Sequence, residues 1–200
     1  MQAVMTATDT VALLASALDQ TEAIIASITL EQSSLPTPCR AWDVRALVHH
    51  VIGQDMRNFT ISARGETADW QAPADDVSES WGAAFHDRAE VLLDVWRGAD
   101  LDRPVAMPGR PEAPLRGRAD QQITELAVHG WDLVQATGQS IELNRGLAEH
   151  ALAWSRQALR PEFRGADKAF GPEVAVPDDD ASVYDRLAGW FGRDPGWTAP

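Results

Sequence analysis

A single cysteine, Cys39, stands among the 200 residues of this chain. It excludes a framework of internal disulfides and fits a reducing compartment. Long apolar runs are missing too: nothing approaches the ~20 residues needed to cross a bilayer, and Met1 to Asp9 lacks the basic region and apolar core of a signal peptide. The expectation is a cytoplasmic protein. Positive charge is scarce, with 17 Lys and Arg against 30 Asp and Glu and a formal charge of −13. Nucleic-acid backbones and anionic membranes are therefore not expected partners, because basic patches hold both. No internal repeat or low-complexity tract is present, and the length suits one domain with a sizeable core.

What is present is helical periodicity. Val11, Leu14, Leu18, Ile25 and Ile28 recur at helical steps between Asp9 and Thr29, which predicts a long amphipathic helix. Pro36 and Pro38 then break the chain. Asp43 is the expected N-cap of a second helix reaching Ala63, with Val44, Leu47, Val48, Val51, Ile52 and Phe59 on its apolar face. His49 and His50 flank that face on opposite sides. A third helix is expected from Val77 to Arg97 with Gly98 as C-cap. Four prolines and two glycines between Ala99 and Gly117 predict a long irregular connection with short extended pieces. A fourth helix from Ala119 to Thr137 ends at Gly138, and a fifth, capped by Asn144, runs to Leu159. The tail carries a turn at Gly171-Pro172, an apolar Val174-Ala175-Val176 piece, an acidic cap at Asp178-Asp179-Asp180 and a last helix through Trp190. This all-α pattern predicts an antiparallel bundle over residues 1–160 and an extension, 161–200, packed on it as part of one domain.

The chemistry concentrates in Glu125-Leu126-Ala127-Val128-His129-Gly130-Trp131-Asp132. At about 100° per residue, Glu125, His129 and Asp132 fall on one stripe of a helix that is otherwise apolar or small almost all round. A buried carboxylate is costly unless paired, hydrogen-bonded or metal-bound. Glu125 and His129 are thus candidate ligands of a divalent metal, with a third from another helix. Periodicity does not choose between His49 and His50 for that third position.

Thr37-Pro38-Cys39-Arg40-Ala41-Trp42-Asp43-Val44-Arg45-Ala46-Leu47-Val48-His49-His50, followed by Glu125 to Leu133 and Ala136-Thr137-Gly138, resembles the metal-binding proteins related to the N-terminal domain of mycothiol-dependent maleylpyruvate isomerase, within the DinB-like four-helix-bundle superfamily. Arg186-Leu187-Ala188-Gly189-Trp190-Phe191-Gly192-Arg193-Asp194-Pro195 is similar to the end of its short members. The resemblance implies a DinB-like bundle and a metal held by a His eight residues after the Trp, with a Glu and a His four apart on a later helix. The matching positions are His50, Glu125 and His129. It further implies zinc as the usual ion, with nickel an alternative, and mycothiol or a related low-molecular-weight thiol as cosubstrate.

Two His nitrogens and one carboxylate leave a tetrahedral zinc one open position, the mark of a catalytic site. A thiol bound there is a thiolate at neutral pH. Asp132 is a candidate to accept the free ring N–H of His50 or His129. The expected function is a thiol-dependent transferase or isomerase acting on a small electrophile. The alternatives are a non-catalytic metal-binding or stress-associated bundle protein, and a metal-dependent hydrolase. The family's best-known isomerase carries an additional α/β domain after the bundle, whereas about forty residues follow the fifth helix here, so maleylpyruvate isomerisation itself is not the expected reaction. Arg45, Arg57, Arg116 and Arg118 are undistinguished candidates for gripping a substrate carboxylate. Trp42 and Trp131 are candidate pocket walls, Cys39 is read as a small half-buried residue, and His86 and His150 as surface or interface groups. Homodimerisation through outer helix faces is the expectation for such a bundle.

Overall fold

The computed structural model describes residues 6–107, 110–165, 170–176 and 181–199. Helix α1 (Ala7–Ala26) opens at Thr6, whose hydroxyl takes the Asp9 amide while the Asp9 carboxylate takes the Thr6 amide. This reciprocal cap satisfies two donors that the first turn leaves unpaired. The helix stops short of the expected Thr29, and a 3-10 turn, Leu30–Gln32, carries the chain on.

Asp43 caps α2 (Val44–His49) by accepting the Ala46 amide at 2.8 Å. The helical path reaches Ala63 as the periodicity predicts, with an interruption. Residues His50–Asp55 widen into a π-helical turn, closed by a bond from the Met56 amide to the Val51 carbonyl, before α3 (Met56–Ala63) resumes. The turn is braced from outside, where the Asp75 amide donates to the Gly53 carbonyl at 3.2 Å.

The third helix, α4 (Trp81–Gly98), begins later than expected. Val77 lies in the preceding segment, where it still packs on the core. Gly98 closes the helix from inside, because Ala99 is already extended and directs the chain to buried Leu101. The extended pieces expected next form an antiparallel hairpin, β1 (Pro104–Met107) and β2 (Arg110–Pro114). Helix α5 (Arg116–Thr137) ends at Gly138, whose φ of +65° needs a residue without a Cβ. Asn144 caps α6 (Arg145–Ala158) by accepting the Gly146 amide. Helix α7 (Val183–Trp190) is capped by Ser182 in a reciprocal box with Asp185. The acidic cap expected at Asp178 to Asp180 lies outside the described residues.

Helix α5 is the centre of the bundle. It packs on α1 and α6, touches α2 and α3, and is buried around almost its whole circumference from Ala119 to Ala136. Helix α1 also packs on α4, and α4 on α3. Leu14, Leu47, Phe59, Phe85, Trp96 and Ile123 fill the space between them. Of the surface or interface alternatives, His150 lies between helices: its Nε2 is 3.0 Å from Asp120 and ties α6 to α5, with both side chains mostly buried. His86 pairs with Glu22 at 3.1 Å across α4 and α1 and is exposed. The tail folds back, with the Val174 amide bonded to the Gly189 carbonyl at 2.9 Å. Among the described residues no helix is long and apolar enough to cross a membrane.

A Cβ on Gly53 would stand 2.6 Å from the Asp75 carbonyl oxygen and 3.1 Å from the Asp75 nitrogen, both backbone atoms. Gly53→Ala is therefore expected to push the 73–75 segment off the π-helical turn and to cost about 1–3 kcal/mol, as overpacking of a tight contact does. Urea unfolding of the variant against the parent measures it, and an unchanged midpoint would show that the segment moves freely.

Candidate metal centre

His50, Asp55 and His129 converge where the π-helical turn faces α5. One ligating atom from each lies within 4.8 Å of the others. The π turn brings this about. In an uninterrupted α-helix residues five apart point about 140° away from each other; the widened turn brings Asp55 round to His50, with Oδ2 3.3 Å from Nε2. His129 Nε2 lies 3.5 Å from Glu125 Oε2 one turn earlier on α5. Of the residues nominated from sequence, His50 and His129 meet in this group, while Glu125 lies beside it on His129 and is not the carboxylate within reach of both histidines. Asp55 joins the two histidines and was not nominated, because under an α-helical period it falls off the His50 face. Flanked by Gln54, Arg57 and Asn58, it carries no sequence signal that sets it apart.

Each histidine is oriented through its other ring nitrogen. Gln54 donates its amide N–H groups to the Trp70 and Ala72 carbonyls at 3.1 and 3.0 Å. Its oxygen therefore accepts, and it takes His50 Nδ1–H at 2.8 Å. His50 Nε2 then presents a lone pair to the cluster. His129 Nδ1–H donates to Asp132 Oδ2 at 3.1 Å, so its Nε2 also faces the cluster. Asp132 is gripped by Arg193, whose Nε and NH2 reach its two oxygens at 3.2 and 2.9 Å while NH1 donates to the Phe191 carbonyl. Trp42, set by Thr37 hydroxyl contacts to the Cys39 and Trp42 carbonyls, stacks on His50 with ring centroids 4.3 Å apart and reaches His129 at 5.8 Å. Trp131 is buried in the core. His49 turns the other way, edge-on to Trp81 at 6.2 Å.

Charge follows from these contacts. Burial, aided by the neighbouring His129 charge, pushes His50 down to about 4, so it is neutral at physiological pH. Burial also opposes a charge on His129, but the hydrogen bonds and charges of Asp132 and Glu125 outweigh it and push His129 up to about 9. Burial works against Asp132 as well, and the Arg193 charge with the His129 hydrogen bond holds its carboxyl below the usual range. Glu125 is held low by His129 in the same way. Burial, with the nearby Glu125 charge, raises Asp55 well above an ordinary carboxyl. Burial raises the Cys39 thiol too, in keeping with a half-buried, unactivated residue.

These residues fit a divalent cation. Asp55 Oδ2 is buried without a hydrogen-bond partner, although the bare Nε2 of His50 stands beside it. Two electron-rich atoms facing each other in the interior call for a cation or a proton between them. Imidazole nitrogens whose other N–H is held, with carboxylates alongside, are the donor set of zinc, nickel and related ions.

Residues 14–134 match the model of the mycothiol maleylpyruvate isomerase N-terminal domain. The chain belongs to that family. Its helices form the family's DinB-like bundle, and the His50, Asp55 and His129 group is a site that can hold a metal ion. Two curated Mycobacterium tuberculosis proteins, one from strain H37Rv and one from strain CDC 1551, are each 31% identical over 186 residues, covering 88% of this chain and 93% of their own. Both are named as uncharacterized proteins. No solved structure matches. Gln54 and Arg193, the latter outside the family-matched span, are further contributors that sequence reasoning missed.

A metal needs the neutral His129 ring, whereas the metal-free protein keeps that ring protonated up to about pH 9. Lower pH therefore favours the proton over the metal. Affinity is expected to climb at least about tenfold per pH unit between about pH 5 and 8, with one proton released from His129 per ion and a further one from Asp55 where its raised carboxyl is still protonated. Calorimetry in buffers of different ionisation enthalpy reads the proton release, and a pH-independent affinity would contradict the charge assignment. Arg193→Met strips the guanidinium from buried Asp132, leaves it the His129 pairing, and is expected to cost up to about 3–5 kcal/mol in chemical unfolding.

Proposed function

We propose that this protein binds one divalent metal through His50, His129 and the carboxylates flanking them, and uses it for thiol-dependent transfer or isomerisation on a small electrophile. The reading rests on one observation: two histidines, each fixed at Nδ1, present bare or displaceable Nε2 atoms to a shared point between Asp55 and Glu125. Zinc or nickel suits this donor set. When bound, such an ion supplies the positive charge that keeps a low-molecular-weight thiol, of the mycothiol kind, deprotonated at neutral pH.

The chain's own residues supply the rest. Gln54 and Asp132 hold the imidazoles in one tautomer, and Arg193 keeps Asp132 ionised. Trp42 covers one face of His50 and keeps water from it. Glu125 retains 23% exposure and lines a cavity of about 320 Å³, so a small molecule can approach the cluster from that side. Of the four arginines considered as carboxylate grips, Arg45 faces Glu79, Arg57 faces Asp75 and Arg116 faces Asp102. Arg118 alone of the four lines the cavity beside Glu125.

Elemental analysis of protein purified without a metal-affinity tag tests the site. Wild type is expected to carry about one equivalent, and His50→Ala and His129→Ala to lose it. Asp132→Asn is expected to retain the site at about 10–100-fold lower affinity. The loaded protein is then incubated with mycothiol and a panel of electrophiles, and thiol adducts or isomerised products are read by mass spectrometry. A protein that takes up no metal overturns the reading. One that holds the metal tightly yet turns over none of the panel supports a structural site instead.

A further inference from the structure

Beside Glu125 the cavity of about 320 Å³ is walled by five aromatic side chains, Trp70, Trp154, Phe163, Phe170 and Phe191. Its size sits at the lower end of the about 300–1,000 Å³ typical of small-molecule sites. Phe170 and Phe191 meet edge to face at 5.3 Å, and Trp70 is braced by Phe59 at 5.0 Å, so the wall is packed. Two links join it to the metal cluster. Glu125 lines the cavity and contacts His129 of the cluster, and Gln54, which orients His50, also holds the Trp70 carbonyl.

The polar side chains of the lining spend hydrogen bonds within the protein. Arg118 donates to Gln121 at 2.9 Å, Thr124 to the Asp120 carbonyl at 2.8 Å, and Ser155 to the Leu152 carbonyl at 3.3 Å. Glu125 faces His129. The chain's charge of −13 also works against gathering multiply charged anions. Four of the five aromatics come from residues beyond 134, outside the family-matched span. Aromatic faces and edges favour another ring in offset or perpendicular contact over a small polyanion.

We propose that this cavity is the substrate subsite, and that the substrate is an uncharged or weakly charged ring-bearing electrophile whose ring lies among Trp70, Trp154 and the three phenylalanines with its reactive end toward Glu125. The assignment rests on the metal-dependent reading for the word substrate; the cavity's preference for a ring stands apart from it.

Fluorine NMR with 4-fluorobenzyl alcohol as the ring probe and trifluoroacetate as the small anionic control tests the assignment, on metal-free and metal-loaded protein. The ring probe is expected to bind saturably in both states, and the control to compete with it in neither. Gly117→Phe places a ring at the cavity lining, where an added Cβ meets nothing within 4 Å, so the variant should fold normally. It is expected to weaken the probe at least about tenfold, whereas His86→Ala, at the exposed pair with Glu22 and outside the lining, leaves the probe unchanged. No saturable binding to wild type, full binding to Gly117→Phe, or displacement by the control overturns the proposal. A protein that holds the ring but takes up no metal keeps the ring site and loses the metal-dependent reading.

Discussion

Pairing of buried charge along α5 is the constraint on which the rest of this structure depends. The helix runs through the middle of the bundle, so His129 and Asp132 cannot reach water by rotating outward. An unpaired charge there would cost several kcal/mol, about the whole net stability of a modest domain. The pairing is completed from the tail: Arg193 closes on both oxygens of Asp132, and Asp132 fixes the His129 ring. Docking of the tail and aim of the metal ligand are therefore one interaction seen from its two ends.

The two histidines reach the same orientation by different means. A carboxylate holds His129 and leaves it with a high proton affinity, whereas an amide holds His50 and leaves it neutral. Before metal arrives, the cationic His129 and Arg193 balance the anionic Glu125 and Asp132. The interior is close to electroneutral in that state, so the site can be pre-organised without a metal to hold it open.

Helices were legible in the sequence because their apolar residues recur at the right period and their caps are local: Asp43, Asn144 and Gly138 each act within a few residues of their own position. The stripe of Glu125, His129 and Asp132 was legible for the same reason. Asp55 was not, since its place beside His50 comes from a change of helical period that no single residue announces. Arg193 was hidden by distance: nothing near residue 132 says that a guanidinium arrives 61 residues later. The choice between His49 and His50 lay beyond periodicity, because both flank the same apolar face. What separates them is tertiary, Trp81 on one side and Trp42 with Gln54 on the other.

That separation of 61 residues has a consequence in time. At about 5–20 residues per second of synthesis, Asp132 leaves the ribosome several seconds before the guanidinium that will neutralise it. Through that interval the nascent α5 has His129 but not the guanidinium to set against its acid, and its most favourable course is to keep that stretch wet. Closure of the bundle's centre thus waits on the arrival of the tail, and the order of translation becomes an order of assembly in which the metal site is finished last.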